Sequence, residues 1–232
     1  MFSQLLQVFR TRNPMTNMTD LFTEMLQTTH EMNLTAGRFL FENDVPADAV
    51  EKIYRSDVRV NKSERKLRKL VITHMAVGPD PATIPHTLLL MSLIKDVERL
   101  GDYAKNLTEL RDFFDGPFPD SLEGTELQLV RKTTDEAFAA VRAVLDGADQ
   151  DAAMERIRQL KDAGRRCDNA IPAIARSAAS TEQAVVLTAT ARHYKRIGGH
   201  LLNLFTSVVM PLHKVVYYDE DGVFPKPGRR KD

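Results

Sequence analysis

The sequence lacks several features on which whole classes of proteins depend. It has one cysteine in 232 residues, no tryptophan, and equal numbers of basic and acidic side chains, 32 of each. A single thiol, Cys167, cannot form an intramolecular disulfide and fits a reducing compartment. Balanced charge provides no global field toward nucleic acid or an anionic membrane. We therefore expect a cytoplasmic protein whose charged partners are met by local patches.

Long apolar runs are also missing. The nearest candidate, residues 201–212, is shorter than the roughly 20 residues that a membrane span needs, and it contains Asn203 and Pro211. The amino-terminal residues 1–12 have a short apolar face without a preceding basic region, so we expect no signal peptide there. The sequence thus predicts no transmembrane segment.

Nucleotide-binding and serine-hydrolase motifs do not occur: there is no G-x-x-x-x-G-K-[ST], G-x-G-x-x-G or G-x-S-x-G. The second predicted helix is crowded with basic residues, but no aromatic residues alternate with them, so we expect no nucleic-acid binding. A face toward a membrane protein or anionic lipid headgroups remains an alternative to simple solvation. The basic residues are Lys62, Arg65, Lys66, Arg68 and Lys69.

Helical periodicity dominates what is present. Apolar residues recur every three to four positions over long segments, separated by short Gly- and Pro-containing stretches. Long helices joined by short loops imply antiparallel neighbours in elongated bundles, so we predict an all-α protein. Ser180, with Gln183 three residues on, predicts a capping box at the start of the sixth helix. The six predicted helices cover about residues 15–43, 47–77, 86–114, 125–145, 151–178 and 181–211. Seven apolar residues of the first helix are predicted to share one face: Met18, Leu21, Phe22, Met25, Met32, Ala36 and Leu40.

The two halves of the chain resemble each other. Residues 98–107 and 195–204 agree at four of ten positions, and the Pro/Gly-rich stretch 116–124 lies between the halves. Two homologous three-helix bundles explain this similarity. We predict an apolar segment at 1–13, a first three-helix repeat at 14–116, a second, degenerate repeat at 117–218 and a charged, flexible tail at 219–232.

Carboxylates interrupt the apolar pattern of the first half. Glu98 and Asp102 are four residues apart and share one face of the third helix. In the second helix, Asp57 and Glu64 occupy positions where the spacing calls for apolar residues. A carboxylate facing a bundle is costly unless it is paired or binds a cation.

These carboxylates indicate a metal site. Asn61 adds an amide oxygen one turn from Asp57, which completes an all-oxygen nest for a hard cation such as magnesium, manganese or iron. The alternative is an internal ion-pair network with Lys95 or Arg99. The predicted metal ligands are Asp57, Asn61, Glu64, Glu98 and Asp102.

The same residues resemble the signature of the PhoU family. The resemblance rests on Glu98-Arg99-Leu100-Gly101-Asp102 and on Asp57-Val58-Arg59-Val60-Asn61 with Glu64, and it extends over about residues 20–212. It implies a negative regulator of phosphate homeostasis, cytoplasmic and peripheral to the inner membrane. Its partners would be a phosphate transporter and a phosphate-sensing histidine kinase. The resemblance also implies iron or zinc clusters on the carboxylate faces, and we expect a homodimer.

The second half departs from this pattern. Superposing the halves places Lys195 opposite Glu98, where its ammonium could neutralise the remaining anion, Asp168, without metal. We therefore expect iron, zinc, manganese or magnesium in the first repeat only. Cys167 lies at an apolar position and is interpreted as a core residue. The remaining opposed pairs are Gly164 with Asp57, Asp168 with Asn61, Ile171 with Glu64, and Gly199 with Asp102.

The leading functional hypothesis is a non-enzymatic regulator that docks on a phosphate transporter of the ATP-driven kind. A sodium-coupled or low-affinity phosphate carrier is the alternative partner. A carboxylate-bridged dimetal enzyme is the second class, but such sites use Glu-x-x-His pairs, and none occurs on the faces considered. A purely structural, dimerising bundle is the third.

Overall fold

The computed structural model describes residues 14–214, and the predictions for the apolar segment at 1–13 and the tail at 219–232 lie outside that range. Within it the chain folds into six long α-helices, so the predicted all-α fold is confirmed. Their bounds are α1 Pro14–Glu42, α2 Ala49–Ala76, α3 Ile84–Glu109, α4 Leu122–Gly147, α5 Gln150–Ile174 and α6 Thr181–Val209.

The helical faces follow the apolar periodicity. On α1, the seven residues predicted to share one face are all buried, and on α2 the seam from Ile53 to His74 is buried except at Glu64. Burial of these stripes against neighbouring helices stabilises the fold far more than helix propensity does. The seven residues of α1 are Met18, Leu21, Phe22, Met25, Met32, Ala36 and Leu40.

Side-chain caps fix where the later helices begin. The predicted capping box of α6 is present: Ser180 accepts a hydrogen bond from the Gln183 backbone N–H, and the Gln183 side chain accepts one from the Ser180 backbone N–H. Ser121 caps α4 in the same manner, accepting from Gly124 at 3.1 Å. Helix α4 therefore begins at Leu122, inside the stretch that the sequence predicts as linker.

Two helices end earlier than predicted. Helix α5 ends at Ile174 instead of near residue 178. Its last turn contains Pro172, which lacks the N–H that would bond to the Asp168 carbonyl and so weakens the helix there. Helix α3 ends at Glu109 and continues as one 3₁₀ turn, Leu110–Asp112. Both differences are confined to a single turn.

Arg111, in that 3₁₀ turn, clamps the connection between the repeats. Its guanidinium donates to the carbonyl oxygens of Phe39 (3.3 Å), Leu40 (2.6 Å) and Gly116 (2.6 Å). The end of α1 and the start of the connection are thus held by one side chain. Further on, Gly124 packs so closely on the Pro119 carbonyl that a Cβ atom would collide with it.

The helices group into two sets of three. Helices α1 to α3 pack on one another, as do α4 to α6, while α3 packs on α6 and α1 touches α4 across the middle of the molecule. One continuous hydrophobic core results. The exact repeat boundaries given above stay a prediction. Nothing in the helices of residues 14–214 combines the length and the apolar character that crossing a membrane requires.

Candidate functional site

The predicted ligands lie on α2 and α3, two helices that pack on each other. Asp57 and Glu98 are buried, with side chains 11% and 8% exposed. The Glu64 side chain is 12% exposed and that of Asp102 is 23% exposed. The interruption of the apolar seam by carboxylates, which the sequence predicts, is therefore real.

On α2 both carboxylates have polar neighbours. Lys105 of α3 places its Nζ 3.5 Å from Asp57 Oδ2, and Asn61 Nδ2 donates to the same oxygen at 3.4 Å. Glu64 accepts from Arg68, one turn further along α2, at 3.0 Å. Asn61 thus turns its amide N–H toward the carboxylate.

On α3 the carboxylates are neutralised by their own helix. Lys95 Nζ lies 2.7 Å from Glu98 Oε2, and Arg99 Nε lies 3.8 Å from the same oxygen. Arg99 also donates to Asp102 Oδ2 at 2.9 Å. These are the i to i+3 partners that the sequence offers as the alternative to a metal.

The acidic face of the first repeat, defined as Asp57, Glu64, Glu98 and Asp102, is thus a set of ion pairs. Its four carboxylates contact four basic side chains, which leaves little net charge for a cation to neutralise. Within residues 14–214, no three His, Cys, Asp or Glu side chains are placed so that they could hold a metal ion. As arranged, these residues do not fit a metal cluster. The basic partners are Arg68, Lys95, Arg99 and Lys105.

Two carboxylate oxygens on this face are buried and have no hydrogen bond in the described part of the chain, Asp57 Oδ1 and Glu98 Oε2. Glu98 Oε2 still lies 2.7 Å from the Lys95 ammonium, whereas Asp57 Oδ1 has no such ion-pair contact. An unsatisfied carboxylate oxygen is unfavourable in a protein interior. These unpartnered oxygens favour an additional cation, and the metal prediction for the first repeat stays a prediction.

The second repeat has a simple ion pair at the corresponding place. Lys195 Nζ lies 2.5 Å and 2.7 Å from the two carboxylate oxygens of Asp168, as the sequence predicts. Both side chains are at least 40% exposed. The lysine opposite Glu98 therefore forms an ion pair with the remaining anion, and the expectation of metal in the first repeat only stays a prediction.

Cys167 is a core residue, as predicted. Its side chain is fully buried, and burial raises the pKa of the thiol to about 12. The thiolate is the nucleophilic form, so this cysteine is chemically inert at neutral pH.

A polar cluster between the repeats was not predicted. The carboxylate of Asp96 on α3 is buried; its Oδ1 lies 2.8 Å from His200 Nδ1 and accepts from Asn203 Nδ2 at 2.8 Å. The Tyr103 ring stacks on the His200 ring with centroids 5.7 Å apart. The only signal in the sequence is an Asp inside the apolar stretch of α3. Its partners lie more than 100 residues away.

A second unpredicted cluster joins α4 to α1. Arg131 Nη1 lies 2.7 Å from Glu42 Oε1, and its Nε lies 3.5 Å from Asp135 Oδ2. Burial raises the pKa of Asp135 to about 6, although Arg131 opposes this shift. The neighbouring Tyr194 is fully buried, and burial raises its pKa well above the ordinary value.

Comparison with known proteins gives three results. Residues 22–110 match the PhoU domain. A segment of 67 residues is 33% identical to the phosphate-specific transport system accessory protein PhoU of Serratia marcescens, and covers 29% of this chain and 27% of that protein. The match therefore spans about a quarter of the relative's length.

Two solved structures resemble the whole chain. The crystal structure of PhoU from Pseudomonas aeruginosa has a TM-score of 0.75 at 16% identity and covers 93% of this chain and 99% of its own. The phosphate transport system regulatory protein PhoU from Streptococcus pneumoniae has a TM-score of 0.73 at 14% identity, covering 88% and 96%. At this identity the structures establish the fold, and they extend it well beyond the matched domain.

Proposed function

Because residues 22–110 match the PhoU domain and the chain shares the fold of two solved PhoU proteins, we propose that it regulates phosphate uptake by binding an inner-membrane phosphate transporter from the cytoplasm and restraining transport. The observation that carries the proposal is the position of the PhoU domain. The matched range, residues 22–110, contains both Asp57 and Asp102. The acidic face therefore lies within the part of the chain that matches the PhoU domain.

The arrangement of charge supports a binding role. The acidic face has four carboxylates and four basic partners in a partly buried layer between α2 and α3. Charged groups of a binding partner can replace these internal ion pairs with ion pairs across the interface. Exchange of ion pairs provides specificity for a partner without a large apolar patch. The corresponding face of the second repeat retains only Asp168 and Lys195.

The match to the PhoU domain also bears on the enzyme hypothesis. The similar proteins are named as an accessory protein and a regulatory protein, and we infer that this chain is likewise a regulator and not an enzyme. The dimetal alternative has no support in the ion-paired arrangement of the carboxylates.

Tagged purification from solubilised membranes, in phosphate-replete and phosphate-starved cells, tests the proposal. We expect a phosphate carrier to be recovered with the wild-type chain, and deletion of the gene to raise phosphate uptake in replete medium. Identifying the carrier by mass spectrometry separates an ATP-driven system from a sodium-coupled one and shows whether a sensor kinase accompanies it. Recovery of neither carrier nor kinase, with uptake unchanged by deletion, would overturn the proposal.

A further inference from the structure

The outward face of α2 carries a strip of basic residues flanked by exposed aliphatic side chains. Side chains separated by three or four residues share one side of a helix, so Val58, Lys62, Arg65, Lys69 and Ile72 point the same way. Lys66 lies beside them, and all six residues are exposed. We refer to these six residues as the basic strip.

Among the described residues, the four charges of the strip have no ion-pair partner. The acids of α2 are engaged elsewhere: Glu51 pairs with Arg55, Glu64 with Arg68, and Asp57 with Lys105. Between residues 14 and 214 the structure contains no ion pair or side-chain hydrogen bond to the basic groups of the strip. Four positive charges within two helical turns repel one another, which makes an anionic contact favourable.

On the equivalent helix of the second repeat, α5, the corresponding basic residues form ion pairs. On α5, Arg165 lies 3.1 Å from Asp162, and Arg158 lies 3.5 Å from Glu155. Arg166 contacts Asp162 at 3.0 Å and Glu126 of α4 at 2.7 Å. Both helices are rich in basic residues, but only α2 leaves a group of them unneutralised.

The aliphatic ends of the strip are unusually accessible. Val58 is 50% exposed and Ile72 is 63% exposed, and they lie at opposite ends of the four basic residues. The apolar face of α2 is buried in the bundle, so any membrane contact of this helix must use this surface, where the charges can meet lipid headgroups and the two aliphatic side chains can reach the acyl boundary.

The composition of the strip favours lipid over other anionic partners. Protein interfaces are enriched in aromatic residues and arginine and depleted in lysine, whereas the strip has three lysines, one arginine and no aromatic residue. Without aromatic rings it also offers no stacking surface for bases. Lysines extend their aliphatic stems along an apolar boundary and place the ammonium among phosphates.

We propose that the basic strip binds the headgroups of anionic phospholipids, with Val58 and Ile72 inserted at the level of the acyl boundary. The contact would hold the protein on the membrane surface beside its transporter. In that respect it extends the proposed function, but a vesicle without any transporter tests it separately. Failure of lipid binding would therefore leave the proposed function standing, and failure of the transporter pull-down would leave the lipid contact standing.

Flotation of the full chain with vesicles tests the strip. The vesicles contain phosphatidylcholine alone or with about one third phosphatidylglycerol. The triple variant Lys62→Gln/Arg65→Gln/Lys69→Gln is compared with Arg158→Gln/Arg165→Gln/Arg166→Gln on α5, which removes the same charge. Each basic residue near an anionic membrane raises partitioning about fivefold. We therefore expect the strip variant to partition roughly 100-fold less than wild type, and the α5 variant to partition at most about threefold less.

The aliphatic part of the proposal has its own variant. Val58→Ser/Ile72→Ser keeps every charge, and we expect it to lower partitioning by about fivefold to tenfold. Circular dichroism of all variants checks that they are folded. The proposal is overturned by equal losses in the two triple variants, by no flotation with anionic vesicles, or by binding that raised salt does not weaken. Binding to an acidic peptide without flotation would assign the strip to a protein instead.

Discussion

The two repeats build one architecture with different placement of charge. The first repeat keeps Asp57, Glu98 and other carboxylates in a partly buried layer, each beside a basic side chain. The second repeat has the exposed pair of Asp168 and Lys195 at the corresponding place. Because the second repeat reaches the same three-helix arrangement without a buried acidic layer, that layer is not required by the fold.

Features that are present in the first repeat and absent from the second are the ones to attribute to function. Buried carboxylates cost desolvation free energy even when they are paired, so a repeat that retains them does so at the expense of stability. The same contrast separates α2, with its unneutralised basic strip, from the ion-paired α5. Both unusual features fall in the repeat that matches the PhoU domain.

Core truncations should affect the repeats equally. Leu100 and Ile197 occupy matched positions and are both fully buried. We expect Leu100→Ala and Ile197→Ala each to lower the free energy of unfolding by about 3 kcal/mol, through lost burial and a residual cavity. Chemical denaturation measures both. A cost confined to one variant would mean that the repeats do not share an equivalent core.

Asp135 should make the second repeat sensitive to pH. Its pKa is raised from 3.8 to about 6, so the folded state binds the proton more tightly than the unfolded state. The ionised carboxylate lowers the free energy of unfolding. This loss is absent below pH 4, grows as the pH rises toward 6 and is complete above pH 6. We expect Asp135→Asn to be more stable than wild type by about 2 kcal/mol at pH 7, with the gain vanishing near pH 4. Thermal melts at several pH values provide the measurement, and a gain independent of pH would contradict it.

Neutralising one acid of each face should distinguish the repeats. Glu98→Gln breaks a buried contact with Lys95, and we expect a loss of about 1 kcal/mol. Asp168→Asn breaks an exposed pair, and we expect a change within about 0.5 kcal/mol of zero. Denaturation of both variants at pH 7 measures the difference. Equal effects would show that the buried ion pair of Glu98 contributes no more to the free energy of unfolding than the exposed pair of Asp168.

Metal removal is expected to have the smallest effect. A cation on the acidic face would have to displace Lys95, Arg99 or Lys105, so we expect chelation to change the free energy of unfolding by less than about 0.5 kcal/mol. Metal content, measured by elemental analysis, should be equally low in the wild type, in Asp102→Ala and in Asp168→Ala. Tight stoichiometric metal whose removal unfolds the first repeat would contradict the ion-paired arrangement.

The sequence predicts the fold well because helical periodicity is a local property. The buried face of α1 and the capping box at Ser180 depend only on neighbouring residues, and both are confirmed. Helix ends were less accurate. Helix α5 ends two residues after Pro172, four residues before the predicted end, and the clamp formed by Arg111 depends on carbonyl groups about 70 residues away.

The candidate site was predictable in its residues but less so in its contacts. The spacing of Lys95, Glu98, Arg99 and Asp102 fixes their ion pairs, because all four lie on one helix. The contact between Lys105 and Asp57 requires the register of α3 on α2, which the sequence does not determine. The same holds for the contacts of Asp96 with His200 and of Arg131 with Glu42, because in each case the partner belongs to the other repeat.

The clamp formed by Arg111 has a practical consequence for building fusion proteins. The Pro- and Gly-rich connection between the repeats invites an inserted tag or a new pair of chain ends, yet Arg111 and Gly124 hold it in close contacts that an insertion would break. The loop after α2 is the better location. Gly78 there has φ +80° and no heavy atom within 4 Å of where a side chain would stand. A fluorescent probe inserted at Gly78 would report on the first repeat while leaving the joint between the repeats intact.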